Sequence, residues 1–202
     1  MSVLSYVYSQ FGRPRGVIGY VADYIMAHRS SNIERNDWAL SLLAIQPTDR
    51  ILEIGFGPGI AIRTLATQSR QVVGIDHSAL MLGQATWRNK ELIEKEKLKL
   101  MLLSVEELTT EIGLFDKVYS MNVVLFWRDP IAVFCRLRNL LKPGGMLLTG
   151  YMPRKPGATD EDAIQKGAQI EGWLRAAGFG QVTSQVKAMK PVAVVAVSAI
   201  ND

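Results

Sequence analysis

Ile51-Leu52-Glu53-Ile54-Gly55-Phe56-Gly57-Pro58-Gly59 decides the reading of this chain. An apolar run ends at Ile54, three alternate glycines follow, and a helix-compatible run begins at Ile60. Glycine lets the backbone turn sharply and approach a ligand where a Cβ would block it. The helix start beyond offers N–H groups without intrahelical partners. In an open α/β sheet, ligands bind at the carboxyl ends of the strands. The loop is therefore expected to face a ligand, although a tight strand-to-helix turn uses the same residues. Asp76, about 20 residues on, can accept hydrogen bonds from both hydroxyls of a ribose at the end of a second strand. Alone, Asp76 is equally a helix cap beside Ser78.

Outward from this loop, short apolar runs alternate with helical ones. Strands are expected over Arg50 to Ile54, Gln71 to Ile75, Leu98 to Leu103, Asp116 to Met121 and Met146 to Tyr151. Helices are expected from Ile60 to about Gln68, from a Ser78 cap into the charged stretch Glu91–Lys97, and from Pro130 to Leu141. Such alternation means a mainly parallel, doubly wound α/β sheet. The ending differs. After a helix from about Glu161 to Ala177, stopped by Gly178, the runs Gln181–Val186 and Val192–Ser198 lie too close together for a helical crossover. They are expected to pair as a C-terminal antiparallel hairpin.

The first 45 residues read as helical. Val17, Ile18, Val21 and Ile25 recur near a 3.6 period, as do Trp38, Leu42 and Ile45. Gly12 to Gly16 interrupt the first segment, and Ser30, Ser31 and Asn32 are candidate caps for the helix through Trp38. The expected organisation is a single domain over residues 1–202, with 1–45 as a helical cover and 46–202 as the core. Its 202 residues, 48% apolar and 21% charged, can bury a full core. The net charge of +4 is far below that of a nucleic-acid-coating protein. Cys135 is the only cysteine, which excludes an internal disulfide and a cysteine metal site and fits a reducing compartment. The apolar runs are too short to span a bilayer, and the N-terminus lacks a signal-peptide pattern. A cytoplasmic location is expected.

The motifs resemble those of class I S-adenosylmethionine-dependent methyltransferases. Glu53-Ile-Gly-Phe-Gly-Pro-Gly59 is similar to the first motif and Val72-Val-Gly-Ile-Asp76 to the second. Phe115-Asp-Lys-Val-Tyr-Ser-Met-Asn122 resembles the fourth-strand motif, and Leu140-Leu-Lys-Pro-Gly-Gly-Met-Leu-Leu148 the turn into the fifth strand. The resemblance runs over roughly residues 45 to 200, motifs in order. It implies a seven-stranded, Rossmann-like methyltransferase fold and S-adenosyl-L-methionine as cofactor, with S-adenosyl-L-homocysteine as product. It places Gly55, Gly57 and Gly59 under the cofactor's methionine part, Glu53 near its amino group, and Asp76 on the ribose. His77 and Met81 would lie by the adenine, with Ser104, Val105 and Glu106 at its edge. Many family members carry an aspartate where Ser104 stands; Glu106 or a backbone N–H can take that contact. Asn122 would sit by the methionine tail and the transferred methyl.

The acceptor is less legible. A sulfonium methyl is already electrophilic, so orientation supplies much of the acceleration and no universal catalytic residue is expected. Tyr20, Tyr24 and His28 on the N-terminal segment, and Trp127 and Tyr151 after the fourth and fifth strands, are pocket candidates as well as plain packing residues. Arg136 and Arg138 read as a solvated helix face, whereas Arg154 and Lys155 can attract an anionic acceptor. Arg13 and Arg15 flank an amphipathic segment able to touch an anionic membrane, or simply solvated. No aromatic-basic array resembles an RNA module. The expected function is methyl transfer to a small molecule. The alternatives are a non-catalytic cofactor-binding module, and a nicotinamide-dependent oxidoreductase. The latter's Gly-x-Gly-x-x-Gly fingerprint requires a third glycine at position 60, which is Ile60.

Overall fold

The computed structural model describes residues 30–202, and within it seven strands form a single sheet in the order β3-β2-β1-β4-β5-β7-β6. The strands are β1 (Arg50–Ile54), β2 (Gln71–Asp76), β3 (Leu98–Leu102), β4 (Phe115–Met121), β5 (Leu141–Tyr151), β6 (Gly180–Lys187) and β7 (Val194–Ile200). β1 to β5 run parallel, and β7 pairs antiparallel with both β5 and β6. The expected doubly wound sheet with a reversed terminal hairpin is what the chain forms. β1 sits between β2 and β4, so chain direction along the sheet reverses there, and a crevice opens above these strand ends.

The helices are α1 (Ser30–Leu42), α2 (Ala61–Gln68), α3 (Ala79–Arg88), α4 (Lys90–Glu94), α5 (Pro130–Asn139) and α6 (Asp160–Ala176). Side-chain alternation along the parallel strands sends apolar residues to both faces. On one face Ile51, Val72, Tyr119 and Leu148 pack with α1 to α4 through Leu40, Leu65, Met81 and Leu92. On the other, Leu52, Val73, Val118 and Leu147 meet α5 and α6 through Phe134, Leu137, Ile170 and Leu174. The α1 connection to β1 is clamped from the sheet. Lys117 Nζ lies 3.0 Å from Asp49 Oδ2, donates to the Leu43 carbonyl at 2.8 Å, and also bonds the Ala44 carbonyl.

Three local expectations need correction. The helix expected from Ser78 to Lys97 is two helices. The buried Asn89 at the break turns its Nδ2 to the carbonyls of Gly59 (3.0 Å) and Ala85 (2.9 Å), contacts a straight helix would not supply. The fifth strand begins at Leu141 rather than Met146, because Leu141 pairs with Phe115 before the register shifts between Phe115 and Lys117. Asn32 is no N-cap: the helix is already under way at Ser30, and the Asn32 side chain accepts from Arg154. Tyr20, Tyr24, His28, Arg13, Arg15 and the Val17–Ile25 pattern lie outside the described residues.

Candidate functional site

At the carboxyl end of β1 the chain enters the glycine loop, where Gly55, Gly57 and Gly59 all take positive φ (72°, 53° and 83°). The three do different work. A Cβ on Gly55 would lie 2.8 Å from Val123 Cγ2, so this residue brings the loop against the segment after β4. A Cβ on Gly59 would lie 2.8 Å from Ala85 Cβ and 2.6 Å from Asn89 Nδ2, so Gly59 serves close packing on α3. A Cβ on Gly57 would meet nothing within 4 Å. That glycine faces open space, as a ligand-facing turn requires.

Asp76 ends β2 beside this loop. Its Oδ2 accepts the Gly57 N–H at 3.0 Å and its Oδ1 the Ser78 N–H at 2.9 Å. Burial raises its pKa, opposed by the backbone donors from Ser78 and Gly57. Ser78 Oγ in turn caps α3 by accepting the Met81 N–H. Asp76 therefore combines a structural role with a position in the cleft. That cleft, of about 460 Å³, gathers Gly55, Asp76, His77, Ser104, Val105 and Glu106 from three separate loops. Val123, Phe126, Trp127 and Arg128 close it from the β4 side. His77 is half-exposed, its Nδ1 3.8 Å from Asp76 Oδ1.

Other candidates fall elsewhere. Met81 is buried among Phe56, Leu65 and Ala85 and is absent from the cleft lining. Asn122 takes φ +60° at the end of β4; its N–H bonds the Gly150 carbonyl (2.8 Å) and its Oδ1 accepts the Met152 N–H (2.7 Å). It ties the ends of β4 and β5 together. The Ser104 N–H is already taken by Glu107 Oε2 at 2.9 Å, in a capping box. Trp127 and Tyr151 are buried in the core, Trp127 edge-on to Phe134 at 5.2 Å between ring centroids. Trp127 still lines the cleft, and its buried indole Nε1 has no partner.

The basic stretch after Ile131 is less solvated than expected. Arg136 Nη1 donates to the Glu106 carbonyl at 2.6 Å, bracing the turn after β3. Arg138 is half-buried against Gly178. Lys155 pairs with Asp162 at 2.6 Å and Arg154 bonds Asn32, so both are engaged within the chain.

Glu53 lies on the α1 face of the sheet, only 3% exposed, and its Oε2 has no hydrogen-bond partner. Burial, and then the charge of Asp76, push its pKa up to about 8. A buried carboxylate oxygen without a donor is costly. Its neighbours are equally incomplete. Tyr119, paired with Glu53 across β1 and β4, has a buried hydroxyl without a partner, and burial followed by Glu53 raises its pKa. Arg35 on α1 is buried with an unpartnered Nη1; burial, then Arg154, lowers its pKa to about 10. Sequence reading missed Arg35. Its spacing from Trp38, Ala39 and Leu42 is the signal that places it on the buried helix face. None of Glu53, Tyr119 and Arg35 lines the cleft; their orphaned groups have the chemistry to complement an ammonium and a carboxylate, the two ends of an amino acid. The open Gly57 and the Asp76 carboxylate fit the nucleoside part of S-adenosylmethionine.

The family pattern described as “Methyltransferase domain” matches residues 52–149. The protein named “Uncharacterized methyltransferase YdaC” of Bacillus subtilis (strain 168) is 32% identical over 173 residues, 85% of this chain and 92% of that protein. A tRNA U34 carboxymethyltransferase of Vibrio cholerae is 34% identical over 119 residues, 56% of this chain but 36% of that enzyme. The crystal structure of N-methyltransferase NodS from Bradyrhizobium japonicum WM9, in complex with S-adenosyl-l-homocysteine, covers 86% of this chain and 89% of its own. Its TM-score is 0.70 at 19% identity, a likeness of fold.

Proposed function

The chain belongs to the class I S-adenosylmethionine-dependent methyltransferases, and from that premise we propose that it methylates a small-molecule acceptor. The observation that carries this is the short connection from β5 to α6, Met152 to Thr159, beside the cleft. Inserted substrate domains need more chain than that. Among the described residues no helix is long and apolar enough to cross a membrane.

When bound, the cofactor supplies an electrophilic methyl on a sulfonium. The chain's own residues then bind, orient and exclude water. Asp76 takes the ribose hydroxyls while holding the Gly57 N–H. Glu53 receives the ammonium, ending the isolation of its Oε2, and Arg35 Nη1 with the Tyr119 hydroxyl supply donors to the carboxylate. His77, Val105 and Phe126 form walls around the base. Were the donor so fixed, proximity would supply much of the acceleration.

The test has two parts. Calorimetry with S-adenosylhomocysteine is expected to show binding that Asp76→Ala abolishes. Transfer of a labelled methyl is then scored against phenols, amines, carboxylates and thiols on one side, and unmodified tRNA on the other. Methylation of tRNA with no small-molecule product overturns the acceptor class while leaving the donor reading intact.

A further inference from the structure

A second recess, of about 420 Å³, lies behind the glycine loop and shares no residue with the cofactor cleft. Ile60 and Arg63 line it from the start of α2, Trp87 and Arg88 from the end of α3, and Lys90 and Glu91 from α4. Trp87 is 80% exposed, more than any other large apolar side chain among the described residues. A solitary exposed apolar residue needs no explanation. What sets this one apart is its surroundings.

α3 buries Met81 and Ala85 and, one turn on, Asn89, which leaves Trp87 on the outer face. Two guanidiniums flank it, and among the described residues neither pairs with a carboxylate. Each is held by one backbone contact. Arg88 Nε donates to the Pro58 carbonyl at 3.0 Å, and Arg63 Nη1 to the Arg88 carbonyl at 3.2 Å. A guanidinium has five N–H donors, so each retains others for a ligand while its position is already fixed. Lys90 adds a third cation, partly offset by Glu94 at 3.6 Å.

We propose that this recess binds a nucleotide, its base stacked on Trp87 and its phosphate held by Arg63 and Arg88. The ligand must combine a flat apolar part with an anionic part, because the recess offers an indole and Ile60 beside unpaired guanidiniums. Base stacking on an aromatic side chain is sequence-tolerant and contributes appreciably to single-strand binding. The exposed indole of Trp87 favours a ligand with a flat stacking face over an acidic peptide or an anionic bilayer. The three cations and Trp87 are spread over α2, α3 and α4 and meet only in the fold.

A nucleotide can arrive free or within a single strand of RNA, and titration distinguishes the two. With the cofactor cleft saturated by S-adenosylhomocysteine, AMP is followed by calorimetry and a fluorescein-labelled ten-residue oligouridylate by anisotropy, at low and high salt. Both are expected to bind wild type and to lose at least tenfold in affinity in Trp87→Ala and in Arg63→Ala, the oligomer with strong salt dependence. Binding of AMP as tight as that of the oligomer assigns a free nucleotide; binding of the oligomer alone assigns a strand. Both variants alter exposed side chains, so their melting temperature and S-adenosylhomocysteine affinity are expected to match wild type. Absence of binding by wild type overturns the proposal, as does equal binding by Trp87→Ala or displacement by a polyaspartate peptide at matched charge. None of these outcomes bears on the cofactor reading, which is scored separately by S-adenosylhomocysteine.

Discussion

Gly57 donates its N–H to Asp76 Oδ2 at 3.0 Å, so the glycine loop and the carboxylate ending β2 form one unit before any ligand arrives. The loop is thereby preorganised, and ligand affinity is not diminished by the cost of ordering it.

Gly57→Ala should separate folding from binding. The left-handed φ of +53° costs an alanine about 1–2 kcal/mol, and its Cβ meets no protein atom. The variant is expected to fold with a modestly lowered melting temperature and to lose at least tenfold in S-adenosylhomocysteine affinity. Gly59→Ala should do the reverse damage, destabilising the fold through contact with Ala85 and Asn89. Unchanged affinity in a folded Gly57→Ala protein would remove the loop from the cofactor site.

Glu53 makes the ligand-free protein pH-sensitive. Its folded pKa of about 8 stands above the ordinary value of 4.5, so the folded state favours the protonated carboxyl. That contribution is fully present below pH 4.5 and is lost as pH rises through about 8. Melting temperatures across this window are expected to decline more steeply for wild type than for Glu53→Gln. A ligand ammonium beside Glu53 reverses the preference, so binding near pH 7 should release a proton. Calorimetry in phosphate and in Tris measures that release, and equal enthalpies in the two buffers would count against the placement.

Lys117→Met isolates Asp49. The pair is largely buried at 3.0 Å, and removing one partner of such a pair typically costs about 3–5 kcal/mol. Asp49 keeps the Gln46 N–H at 2.7 Å, which argues for the lower end. Urea denaturation is the measurement, and a loss under about 1 kcal/mol would show the clamp to be dispensable.

Asn122 holds a left-handed φ of +60° and accepts the Met152 N–H. Asn122→Ala loses the bond and keeps the strain, whereas Asn122→Gly loses the bond but relieves the strain. The alanine variant is expected to be less stable by about 2 kcal/mol and the glycine variant by less. The opposite order in chemical denaturation would refute this account.

Much of this architecture was legible in the chain because local pattern and global fold agree. β1 begins and ends where its apolar run does, and the close spacing of the last two runs correctly required a hairpin. Two of the misses share a cause, a partner distant in sequence. Asn89 breaks a helix because the Gly59 carbonyl is there to receive it. Arg136 turns inward because the turn after β3 presents two carbonyls. Ser104 differs: it gives its N–H to Glu107 through a local capping box, whose Ser-x-x-Glu signal is present in the sequence. The proposed site divides the same way. Its donor half follows from glycines and a carboxylate at fixed spacing, while the Glu53–Tyr119–Arg35 group required β1, β4 and α1 to be brought together.

The hairpin that completes the sheet also determines how molecules of this protein meet one another. With β7 inside, the strand left at that margin is β6, Gly180-Gln-Val-Thr-Ser-Gln-Val-Lys187, solvated along most of its length. A free strand edge is a template on which a neighbouring chain can polymerise. This one offers hydroxyls, amides and a lysine where an adding strand would need grease, so edge-to-edge stacking gains little. The most apolar strand of the pair, β7, is kept from that encounter by having a partner on both sides.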